Sequence, residues 1–185
     1  MPVLRALLRP LLLSMILLAA PAVALAQPPG WFAEEIKALT AEGGRWVADN
    51  SAYKSGDEPF DAYVIEWKAG FDGLTMTGRL FGIKDGVETP AFWEFRQYWH
   101  PGRAAAVLDQ FGWGGAVGSG MMVRATDGVT VTDQTFFQLD GTARREGHRS
   151  HFRDGETHVT QSFDIAGDTW TPRRTYVWKL QKKDR

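Results

Sequence analysis

The chain has 185 residues, 21 Lys and Arg against 22 Asp and Glu, and a formal net charge of −1. It has no Cys, so a hydrophobic core rather than disulfides must hold it together. The even charge gives neither the basic stripe of a nucleic-acid binder nor the basic amphipathic helix of a membrane-surface protein. Eight Trp is the unusual figure, and it points to a thick aromatic core, a lined cavity, or both.

Residues 1–26 open with Arg5 and Arg9, continue with an apolar run from Leu11 to Leu18, and end in Ala24-Leu25-Ala26. A basic start, an apolar middle and a small-x-small end describe a secretory signal peptide cut after Ala26. The run is short of the roughly 20 apolar residues that span a bilayer. The expected location is therefore periplasmic or secreted, with no membrane contact after cleavage. Residues 27–42 read as a Pro-Pro-Gly leader and a short helix in which Trp31, Ile36 and Leu39 share one side. Gly43 and Gly44 end that helix, and 43–185 form one domain.

That domain reads as strands throughout. Segments at about 45–54, 60–68, 74–83, 89–99, 104–111, 117–126, 129–139, 142–153, 156–165 and 169–180 alternate in character. Five Asp-Gly pairs punctuate them, at 72–73, 85–86, 127–128, 140–141 and 154–155, and Asp-Gly is the strongest short hairpin signal. The expected fold is all-β: a single antiparallel up-and-down barrel of about ten strands with a short N-terminal helix, since closure removes the exposed edges of a long meander.

Two-residue Asp-Gly loops would fix register, and register fixes which face looks inward. With 140–141 and 154–155 as loops, and 167–168 as a third, Val131, Phe137, Phe152, Val159, Phe163, Trp170, Tyr176 and Trp178 fall on one face. Arg145, Arg149, Arg153 and Asp164 fall on the other, so the apolar face is expected inside. The same register places Asp133, His148, Gln161 and Arg174 in one inward row, Thr135 and Glu146 in the row beside it, and Arg144 beyond. His151 and His158 would meet on the outer face. Across Asp72-Gly73, Trp67 pairs with Gly78 and Glu66 with Arg79, which leaves Tyr63, Ile65 and Trp67 inside. Trp93, Phe95, Gln97 and Trp99 follow them. Tyr63, Trp67, Trp93 and Trp99 would form an aromatic wall facing the polar row, a combination suited to a small-molecule cavity. A self-satisfied polar network in a filled core is the competing structural reading.

Gly44-Arg45-Trp46, on the first strand just after a short helix, resembles the G-x-W motif of lipocalins and the wider calycin barrels. The resemblance implies a basic residue near the chain end that packs across Trp46, and Arg173 or Arg174 matches that place. The whole segment after residue 26 also resembles exported bacterial proteins with a lipocalin-like domain of unknown function, through Tyr63-Val-Ile-Glu-Trp67, Tyr98-Trp-His-Pro-Gly-Arg103 and the closing Trp-Thr-x-Arg-Arg-x-Tyr. True lipocalins carry Cys and eight strands, and this chain departs from both.

Chemical motifs are sparse. The Gly-rich run 112–120 lacks the Gly-Lys-Ser/Thr of a phosphate loop, and a close backbone approach explains it better. Asp133 beside His148 could orient an imidazole for acid–base chemistry, but no inward nucleophile stands out. Asp133, Glu146 and His148 make a nonspecific metal set, and neither metal nor cofactor is expected. The leading expectation is a barrel that binds a small hydrophobic or amphipathic molecule, its lumen lined by Trp46, Tyr63, Trp67, Trp93, Gln97, Trp99 and Tyr176 and its polar end set by the inward charged row. The alternatives are an isomerase-like or cyclase-like enzyme using that row, and a filled barrel that works through its surface.

Overall fold

The computed structural model describes residues 27–182, so the segment 1–26, read as a signal peptide, lies outside the described residues. Ten antiparallel strands close into one barrel. In chain order the elements are α1 (Gly30–Leu39), β1 (Arg45–Asp49), β2 (Ala62–Gly70), β3 (Thr75–Lys84), a two-residue β4 (Val87–Glu88), β5 (Trp93–His100), β6 (Ala105–Gly112), β7 (Val117–Arg124), β8 (Thr130–Phe137), β9 (Ala143–Asp154), β10 (Thr157–Ala166) and β11 (Thr169–Leu180). Sequential strands pair from β5 to β11. β11 then meets β1, β1 meets β2, β2 meets β3 and β3 meets β5, while β4 only extends the hairpin after β3. Such a closed, helix-capped antiparallel barrel is consistent with a calycin-like fold.

Helix α1 buries Phe32, Ile36 and Leu39 against Trp46, Met76, Ala106, Met122 and Trp178, and so fills one end of the barrel. Gly44 sits at φ +73°, and a Cβ there would come within 2.1 Å of the Trp67 carbonyl oxygen. Only glycine lets the chain turn from helix into β1 at that spacing. Trp46 follows it, 1% exposed, and donates its indole N–H to the Leu39 carbonyl at 2.8 Å. Residues 50–61 leave β1 early and form a loop that reaches over the opposite end of the barrel. There Phe60 stacks on Phe92, with ring centroids 5.5 Å apart.

The turns decide which faces look inward. Asp72-Gly73 and Asp85-Gly86 have the expected two-residue geometry: both φ angles are positive in each, the Leu74 N–H bonds to the Phe71 carbonyl with Trp67 opposite Gly78, and Lys84 pairs with Val87. Asp127 and Asp140 keep ordinary negative φ while Gly128 and Gly141 lie at +82° and +81°. The Gly141 N–H bonds to the Gln138 carbonyl and the Gln138 N–H to the Thr142 carbonyl. That is a three-residue loop, a turn followed by a left-handed glycine, and it puts Phe137 opposite Ala143 rather than opposite Arg144, where a two-residue loop would place it. After β9, Asp154 pairs with Thr157 and then Phe152 with His158, with an irregularity between them. Each shift is one residue, so the faces of β8 and β10 are the reverse of the sequence expectation. β9 keeps its own, and β11 keeps its own only beyond the bulge at Arg173–Arg174, before which Trp170 turns outward. Thr130, Thr132, Gln134 and Phe136 look inward, and Val131, Phe137, Val159, Phe163 and Trp170 look outward.

Candidate functional site

The inner faces enclose a cavity of about 640 Å³, within the span of small-molecule sites, about 300–1,000 Å³. Its two halves differ chemically. From β2 to β7 it is mostly apolar, with Ile65, Trp67, Leu80, Trp93, Phe95 and Leu108, interrupted by Gln97 and Gln110. From β8 to β11 it is polar, with Thr132, His148, Ser150, Thr160 and Ser162, and with Glu146, Arg173 and Arg174 toward the loop end. Leu39, Trp46 and Trp178 close the α1 end; Tyr53 and Glu58 come from the 50–61 loop.

Space remains despite this aromatic content because rings lie on glycines. Trp67 pairs with Gly78, Trp93 with Gly112 and Phe136 with Gly118. A Cβ added at those glycines would approach the rings to 2.5, 2.9 and 2.4 Å respectively. An aromatic side chain laid on a cross-strand glycine gains contact area against the wall and stays out of the centre.

Two arginines share the polar wall through a bulge. Phe163 pairs with Pro172 and Gln161 with Thr175, so Arg173 and Arg174 together oppose Ser162. The extra residue re-aims side chains, and both guanidiniums reach the lumen. Arg174 holds Glu58 in a two-pronged pair through both carboxylate oxygens, one contact at 2.8 Å. Its guanidinium lies 4.2 Å over the Tyr53 ring and donates to the Tyr176 hydroxyl at 3.2 Å. Tyr63 donates its hydroxyl to Glu58 at 2.5 Å. The Arg174 fork holds the Glu58 carboxyl below its ordinary value, and the same pairing raises Arg174. Burial, then the Glu58 carboxylate, pushes the Tyr63 hydroxyl up. Glu146 is paired with Arg144 at 2.7 Å and with Arg173 at 3.5 Å. At the floor Glu35, 5% exposed, accepts from Thr130 at 2.5 Å and from Arg124 at 2.8 Å. Burial nevertheless raises its carboxyl.

The two lumenal histidines are neutral at neutral pH. Burial, assisted by the Arg173 charge, lowers His148 to about 4, and burial lowers His158 to about 4. Nδ1 of His148 is buried without a partner, as is Oε1 of Gln97. With no partner at Nδ1, that nitrogen donates or accepts according to the tautomer the ring takes. His158 stacks on Phe152 at 4.6 Å and meets Trp46 at 6.0 Å.

The expected site residues separate into those the structure gathers and those it does not. Trp46, Tyr63, Trp67, Trp93, Gln97, Glu146, His148, Arg174 and Tyr176 line the cavity, and Arg144 reaches its rim through Glu146. Asp133, Thr135 and Gln161 do not, because the register shifts turn them outward. Asp133 pairs with exposed Arg145 at 2.6 Å, Thr135 sits across from Ser119 and Arg145, and Gln161 across from Arg149. Trp99 packs against the core cluster and is not among the lining residues. His158, expected outside, is inside. Arg174 does not cross Trp46 as the resemblance implied, because Glu58 holds it over Tyr53. Without Asp133 the imidazole of His148 has no carboxylate to orient it, and the acid–base pairing does not form. No group of three or more metal-ligating side chains gathers among the described residues. Thr132, Ser150, Thr160, Ser162, Arg173 and Glu58 join the site unforeseen. The first five follow once parity and bulge are known, whereas Glu58 lies in a loop with no periodicity to mark it.

No protein-family model matches this chain, and no curated protein is similar to it.

Proposed function

We propose that this protein binds one small amphipathic molecule inside the barrel, apolar side against the β2–β7 wall and polar side against the β8–β11 wall. The two-faced cavity of about 640 Å³ carries this reading. A filled structural barrel needs no such space, since interiors otherwise pack to the density of organic crystals. Export of the chain, suggested by residues 1–26, would place this binding in the periplasm or outside the cell.

Titration with N-phenylnaphthylamine, an uncharged lipophilic fluorophore, tests it. We expect saturable binding of one equivalent with quenching of tryptophan emission, because Trp46, Trp67, Trp93 and Trp178 line the space. Leu80→Trp, which adds bulk to the apolar wall, should weaken the probe by about tenfold or more while leaving a folded barrel. Non-saturable binding, or binding indifferent to Leu80→Trp, sinks the proposal.

A further inference from the structure

We infer that the cavity selects an uncharged ligand bearing hydroxyl or carbonyl groups, and that Glu58 is the built-in counter-charge that keeps carboxylates out. This rests on the ligand-binding reading above and specifies the class of molecule bound.

Each carboxylate that lines the cavity already has an arginine. Glu35 has Arg124, Glu58 has Arg174 and Glu146 has Arg144. The remaining lining cation, Arg173, stands 3.5 Å from both Glu146 and Asp164. The Arg174 fork is the group best shaped to receive a ligand carboxylate, since a guanidinium matches that geometry with two parallel bonds. Both of its prongs are taken by Glu58, and the Tyr63 hydroxyl completes the carboxylate's shell. A ligand carboxylate would have to expel Glu58 from a tethered, multiply bonded position, or be buried facing it. Both routes are costly.

What the walls leave on offer is neutral. Thr132, Ser150 and Thr160 present hydroxyls to the space. Beside them lies His148, uncharged at neutral pH and able to act as donor or acceptor. Gln97 adds an amide from the opposite side. Such groups match hydroxyls and carbonyls on an otherwise apolar body, and none of them is an ionic partner; Arg173, the one lining cation outside the Arg174 fork, is shared between Glu146 and Asp164.

Lauryl alcohol, laurate and laurylamine share one tail and differ in charge, so tryptophan-fluorescence titrations at pH 7.5 separate the cases. In the wild-type protein the alcohol should bind at least about tenfold more tightly than either ion. Glu58→Gln keeps the side-chain shape and the contact with Tyr63 but frees the Arg174 charge. It should tighten laurate by about tenfold relative to the alcohol. Wild-type preference for laurate or laurylamine overturns the inference and spares the ligand-binding reading, as does equal binding of all three. Binding of none of the three, together with failure of the uncharged fluorophore, overturns both. The wild-type comparison decides the matter even if Glu58→Gln proves unstable.

Discussion

Gly78 shows how much one side chain's absence can do. Its neighbour Trp67 occupies the space a Cβ would need, so Gly78→Val must push the indole into the lumen or bend the wall. Overpacking of this kind costs about 1–3 kcal/mol, and urea denaturation should show that loss together with weaker probe binding. Trp46→Phe removes the buried donor that satisfies the Leu39 carbonyl, and should cost about 1–3 kcal/mol by the same measurement. Asp133→Asn is the contrasting case. Its partnership with Arg145 is exposed on both sides, exposed ion pairs contribute little, and neither stability nor binding should change measurably.

At the scale of elements, the hairpins carry the lesson. Gly141→Ala forces a side chain into φ +81° and should destabilise by about 1–2 kcal/mol, whereas Gly155→Ala, at a glycine outside the positive-φ set, should cost less. Urea midpoints of the two variants test this ranking. Strand existence and order were legible because alternation and Asp-Gly spacing are local signals, and all ten barrel strands lie where the pattern puts them. Face assignment was not, because Asp-Gly serves equally as the centre of a two-residue loop and as the last two residues of a three-residue one, and at 154–155 Asp154 itself pairs with Thr157 ahead of a register shift. The rule that apolar residues face inward then misled. Phe163 and Trp170 are apolar and face outward, in T-shaped contact at 5.5 Å under the Arg149 guanidinium. Phe137 is 54% and Leu139 83% exposed. A surface that carries its own aromatic cluster offers no hydropathy contrast from which to infer the interior. The candidate site was half legible for the same reason: β2, β5, β9 and β11 contributed as expected, while β8 and β10 presented their other sides.

For the whole molecule, acid should be the sensitive variable. His148 and His158 have folded values near 4 against an ordinary 6.5. Between those values the unfolded chain binds more protons than the folded one, so stability falls as pH drops through that window. Glu58 and Glu66, whose carboxyls arginines hold low, add to the loss below their ordinary 4.5. Glu35, raised by burial, works in the opposite direction. Thermal melts should therefore shift downward from pH 7 to pH 4, and a His148→Gln, His158→Gln double variant should flatten the part above pH 4.5. A melting temperature that is level, or that rises on acidification, contradicts the burial of these rings.

Because α1 fills one end of the barrel, a molecule bound as proposed would pass under the loop that carries Tyr53, Glu58 and Phe60. Entry and exit then climb the same barrier. Loosening that loop should speed capture and escape together, leaving equilibrium affinity far less altered than residence time.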